Sequence, residues 1–142
     1  MPRIKFPYKR FNTPLTPAFP DRKSISKPLL PVKLICKDKS CDVWALVDSG
    51  AYATLVSPNL CSILGINLKE GKESIAIGIG GAAQKTYFHD LELEVGGYTF
   101  NCYAGFTEGF EIETVLLGQE GFFNFFKKVI FDYNAGEIEL VW

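Results

Sequence analysis

The sequence has no apolar run near the roughly 18 residues that span a bilayer, and no apolar stretch opens it as a secretory signal would. The expectation is therefore a cytoplasmic protein with no membrane partner. It holds one histidine, His89, and four cysteines, 36, 41, 61 and 102. A zinc site wants two cysteine pairs, or cysteines with histidines, so no metal is expected. Cys36 and Cys41 flank Lys37-Asp38-Lys39-Ser40, where a hairpin can bring them together; a reducing compartment favours thiols over a disulfide. Proline nearly vanishes after residue 31, since seven of the eight lie at or before it. Residues 1–28 are thus expected to be an extended, proline-rich arm without regular structure, followed by one folded domain over 29–142.

Charge divides the chain at a similar place. Residues 1–33 carry eight Lys/Arg against one acid, a net +7, and the remainder seven against fifteen, a net −8. The basic charges are scattered and lack helical periodicity. They read as a solvated arm that lies along the acidic body, with no nucleic acid partner.

What is present is β-pattern. Leu29–Lys37 and Asp42–Val47 read as two strands around the Lys-Asp-Lys-Ser turn, and 54–56 as a short third. Ser57-Pro58 offers an N-cap and a first-turn proline for a short helix ending at Gly65. Alternating runs at 73–79 and 84–95 flank a glycine-rich tip, and Gly96-Gly97 turns into a strand from Tyr98. Residues 114–117 form a buried-type strand. The phenylalanines of 122–126 read as a second short helix facing the core rather than a ligand pocket, and 128–133 with 137–142 as a closing hairpin. The sum is a mainly β, small closed barrel with two short helices.

One residue stands out. Asp48 interrupts two apolar runs in Val43-Trp44-Ala45-Leu46-Val47-Asp48-Ser49-Gly50-Ala51-Tyr52-Ala53-Thr54-Leu55-Val56. A carboxylate between core-forming segments is costly unless it is hydrogen-bonded, paired or protonated. A structural aspartate capping a turn is one reading of it; a catalytic carboxylate is the other.

Leu46-Val47-Asp48-Ser49-Gly50-Ala51 resembles the active-site signature of aspartic proteases. Val115-Leu116-Leu117-Gly118-Gln119 resembles the family's second element, an apolar strand leading into glycine and a short helix. Ile77-Gly78-Ile79-Gly80-Gly81 sits where the family carries its flap hairpin. Together they resemble the single-lobe, retropepsin-like form of bacterial type, over residues 29–142. The resemblance implies an acid-protease barrel, a catalytic Asp48, and an active-site loop of Ser49, Gly50 and Ala51. It also implies a flap of Ile79, Gly80, Gly81 and Ala82 over a polypeptide substrate, support from Leu117 and Gly118, and no cofactor. This chemistry needs two carboxylates sharing a proton, and Asp-Ser-Gly occurs once. Asp42, Asp90 and Asp132 lack the following glycine context, so a homodimer is implied. A non-catalytic peptide- or protein-binding module on the same fold is the alternative. The chain departs from the retroviral pattern at Tyr52, Ala53 and Gln119, where acids and an arginine brace the dimer.

Overall fold

The computed structural model describes residues 1–77, 81, 83–110 and 115–142. The strands are β1 (Arg3–Pro7), β2 (Lys9–Asn12), β3 (Ser24–Lys27), β4 (Leu29–Cys36), β5 (Lys39–Val47) and β6 (Leu55–Val56). After the helix α1 (Cys61–Leu64) come β7 (Lys72–Ile77), β8 (Ala83–Val95), β9 (Tyr98–Thr107), β10 (Val115–Leu117), β11 (Lys128–Asp132) and β12 (Glu137–Val141).

Alternation decides the architecture. Leu30, Val32 and Leu34 of β4, Leu91, Leu93 and Val95 of β8, and Cys102, Ala104 and Phe106 of β9 are all buried, and the neighbours between them are exposed or half-buried except the small, buried Gly105. Each strand thus has one apolar face to bury, and a closed sheet buries all of them at once. Six strands form the ring, in the order β4-β5-β10-β6-β9-β8, and β8 closes it by pairing with β4. Beyond the ring, β7 pairs among the described residues only with β8.

The helix begins as expected. The Ser57 hydroxyl accepts from Asn59 N (3.3 Å), Pro58 opens a 3-10 turn over 58–60, and Gly65 at φ +66° ends α1. The second expected helix is only a 3-10 turn, Phe123–Phe125, because Phe122 at φ −144° and the extended Phe126 leave no room for another turn. Phe122, Phe123 and Phe126 pack in or against the core, while Phe125 is half-buried outside it. Phe122 is fully buried, Phe126 lies 5.0 Å from it, and Phe125 stacks on Phe100 at 5.0 Å. Cys36 and Cys41 are not opposite each other: Cys36 faces Lys39 and Cys41 faces Leu34. No helix among the described residues is long and apolar enough to cross a membrane.

The N-terminal arm is where expectation and structure differ most. It is not an irregular leader, for β1 pairs antiparallel with β12, and β2 with β3. Its prolines fall where a missing N–H costs little: Pro7 ends an edge strand, and Pro14, Pro17 and Pro20 lie in the β2–β3 connection. Pro31 stands outside the 33–35 stretch where β8 pairs with β4. Charge adds to the pairing, since Arg3 meets Glu139 at 2.9 Å and Lys5 meets Glu137 at 3.7 Å. Ile4 and Phe6 face inward against the core cluster. Deleting residues 1–7 is expected to cost about 2–3 kcal/mol, from two half-buried apolar side chains. A urea midpoint equal to that of the full chain would rule this anchoring out.

Candidate active site

Asp48 is placed by the strand before it and the strand beside it. β5 runs parallel to β10, with Leu46 opposite Leu116 and Val47 opposite Leu117. Asp48 N continues that ladder by donating to Leu117 O at 3.0 Å. β10 is also antiparallel to β6, so it is inserted between two strands that are joined by the loop carrying Asp48. That loop must pass around the end of β10.

Residues 118–120 hold the loop there. Gln119 N donates to Ala51 O (2.9 Å), Glu120 N to Tyr52 O (2.8 Å), and Thr54 N to Glu120 O (2.8 Å). Gly118 permits the approach, because a Cβ on it would lie 2.7 Å from Ala51 O and closer still to the Ala53 carbonyl. The loop turns on itself as well. Ala51 N donates to Asp48 O (3.1 Å), and Gly50 N donates to Asp48 Oδ1 (2.9 Å). Asp48 is half-buried, Ser49 and Gly50 are exposed, and Oδ2 has no hydrogen-bond partner among the described residues. The carboxylate is therefore oriented by one amide and left with an open oxygen. Such a group can hold or release a proton toward a molecule in front of the loop.

Leu117 and Gly118 lie behind the loop, where Leu117 O accepts from Asp48 N and Gly118 packs against the Ala51 and Ala53 carbonyls. Of the expected flap residues, Ile79, Gly80 and Ala82 lie outside the described residues. Gly81 has φ +79° with open space around it, and the paired hairpin is followed as far as Ile77 opposite Ala83. Among the described residues, no three of His, Cys, Asp or Glu gather to hold a metal ion.

Two supporting residues were not legible as such. Thr54 is fully buried and accepts from Gly118 N at 3.2 Å, while its carbonyl accepts from Gly105 N at 2.9 Å. Burial pushes the Cys102 thiol up to about 12, partly offset by a hydrogen bond from the Thr54 side chain. Thr54 thus ties the loop to β9 through its carbonyl and to the residue after β10 through its hydroxyl. Its only signal in sequence is a polar residue inside the apolar run Ala53–Val56. Replacing Thr54 with Val leaves the buried Gly118 N–H unpaired. The expected cost is about 1–3 kcal/mol, read as a lower urea midpoint.

Gln119 is the second. Its Nε2 donates to Ser49 O at 2.8 Å, so the residue standing in place of an arginine braces the Asp48 loop of its own chain. Tyr52, in place of an acid, is 79% exposed and rims a cavity of about 450 Å³ with Phe88, Tyr103 and Phe125.

The fold matches that of a retropepsin-like aspartic protease from Rickettsia conorii, with a TM-score of 0.62 over 98% of this chain and 89% of that one. The two are 16% identical, so the likeness is one of fold. No curated protein matches the chain. A sequence model of the family described as gag-polyprotein putative aspartyl protease matches residues 37–124, which include both the Asp48 loop and the 115–120 segment that holds it. The match spans more than half of the sequence, and the chain belongs to this family of gag-polyprotein putative aspartyl proteases.

Proposed function

We propose that the protein is an aspartic endopeptidase, active as a homodimer, that hydrolyses peptide bonds with water activated by two Asp48 carboxylates. The observation that carries this reading is the placement of Asp48. It directly follows β5, is held to β10 through Leu117 O, and is oriented by Gly50 N–H with its second oxygen open.

The chemistry follows from bringing two such groups together. Two carboxylates at contact cannot both ionise cheaply, so the pair keeps one proton and titrates as a unit. The ionised member takes a proton from water, and the protonated member donates a hydrogen bond to the carbonyl under attack. The resulting tetrahedral species collapses when the amine leaves with a proton from the pair. Ser49, Gly50 and Ala51 keep the carboxylate in place through these transfers, and Gln119 holds the Ser49 carbonyl. The substrate is an extended polypeptide, whose backbone pairs with the protein as an added strand does.

A reaction that needs two copies has a concentration signature. Cleavage of a mixed peptide library, followed by mass spectrometry, should lose specific activity on dilution as the dimer dissociates. A binding module on the same fold gives no turnover at any concentration.

A further inference from the structure

The C-terminal sheet has three strands in the order β1-β12-β11, so β12 is paired on both sides and, among the described residues, the free edges belong to β1 and β11. Such edges offer unpaired backbone donors and acceptors to another strand. The two differ in what they present. β1 is Arg3-Ile4-Lys5-Phe6-Pro7. Antiparallel pairing with its own copy, centred on Lys5, sets lysine against lysine, and Pro7 has no N–H to give.

β11 is Lys128-Val129-Ile130-Phe131-Asp132, and it is unusually apolar for an outer strand. Ile130 is 39% and Phe131 40% exposed, and Tyr133 beyond them is 84% exposed. Val129 faces the core cluster. The pattern is self-complementary. Pairing two β11 strands antiparallel about Ile130 puts Lys128 opposite the partner's Asp132, and Val129 opposite the partner's Phe131. Alternation then puts Lys128, Ile130 and Asp132 on the outer face and Val129 and Phe131 on the inner one. The outer face gains two ion pairs around an apolar centre. On the inner face, the overhanging Phe131 ring covers the partner's Val129. No described salt bridge engages Lys128 or Asp132 within the chain, although Asp132 Oδ1 accepts from Ala135 N at 2.9 Å.

We infer that the second copy of this chain docks through β11, antiparallel and centred on Ile130, so that two three-stranded sheets join into one across a two-fold axis. An isologous contact of this kind is what a single Asp48 per chain requires. The inference rests on the reading that Asp48 acts as a pair, and it names a surface through which two chains meet.

The test uses the full chain with reversed charges. The Lys128→Asp protein sets acid against acid at both ends of the joined strands, and the Asp132→Lys protein sets base against base. Each alone should show a dimer dissociation constant raised at least about tenfold in sedimentation velocity. An equimolar mixture of the two restores opposite charges at both ends and should return to the parent's dissociation constant, with peptide cleavage recovering in step. Should the Asp132→Lys protein lose its fold by circular dichroism, Ile130→Glu sets two carboxylates face to face on the axis and should weaken the dimer alike. Parent-like dimerisation in every variant, or a mixture no tighter than its components, would overturn the β11 contact while leaving the Asp48 chemistry standing. A parent protein that stays monomeric would overturn it too. Cleavage that survives loss of the Asp48 carboxylate would instead remove the functional reading, and sedimentation would still report on β11.

Discussion

The Asp48→Asn protein is expected to fold as the parent does and to hydrolyse peptides at least about 10³-fold more slowly. Asparagine has the shape of aspartate, and its carbonyl oxygen can keep accepting from Gly50 N, the bond that orients the side chain at 2.9 Å. Asp48 makes no described salt bridge, so the substitution leaves no charge without a partner. Thermal and urea midpoints should therefore stay close to the parent's. What disappears is the ability to exchange a proton. A carboxamide can neither take one from water nor hold one between two oxygens, and in a homodimer both members of the pair are changed at once. Mixed dimers sharpen the point. Co-refolding parent with an excess of the variant places most parent chains opposite an asparagine, and cleavage should fall with the fraction of parent–parent dimers rather than with the amount of parent chain. Undiminished hydrolysis by the variant alone would end the endopeptidase proposal.

Much of this was legible because the physics is local. Alternation in 29–47 and 84–107 requires one buried face per strand, and the barrel follows from burying them together. Ser57, Pro58 and Gly65 mark the helix by capping chemistry that acts over a few residues. The arm was misread for an equally definite reason. Proline reports a missing donor and a fixed φ, but the cost depends on which side of a strand faces a neighbour, and that is a property of the sheet. Arg3 and Lys5 find Glu139 and Glu137 at the opposite end of the chain, a pairing that no local window contains. The second helix failed because four phenylalanines in five residues carry apolar weight without specifying a turn.

The candidate site divides along the same line. Asp48 and its loop were marked by an acid set between apolar runs, and Leu117-Gly118 by the resemblance. Thr54 and Gln119 acquire their roles only when β10 is inserted between β5 and β6, which brings residues far apart in sequence into hydrogen-bonding range. The replacement of an arginine by Gln119 looked like a loss of the dimer brace. In the folded chain its side chain serves the loop instead, which shifts the question of what joins two copies to the surface strands.

Gly118→Ala should be the most damaging change of a single atom to this scaffold. The glycine has no unusual φ, so its importance is spatial. The added Cβ meets the Ala51 oxygen at 2.7 Å and the Ala53 carbonyl closer still, and these are backbone atoms of the loop that carries Asp48. A flexible side chain can swing away from such a contact; a loop pinned by Gln119 N, Glu120 N and Thr54 Oγ1 can yield only by lifting off β10. The cost of that overpacking is about 3 kcal/mol or more, since part of three hydrogen bonds goes with it. Because the displaced segment carries Asp48, activity should fall on the order of 10²-fold even in the fraction that remains folded. Gly136→Ala separates this mechanism from a loss of backbone freedom. That residue has φ +66° and nothing within 4 Å of an added Cβ, so alanine there meets conformational strain alone, about 1–2 kcal/mol, with activity retained. The two variants, compared by urea midpoint and by cleavage rate per folded molecule, should part on the second measure. Equal activity in both would mean that contact between Gly118 and the 51–53 backbone does not hold Asp48 in place.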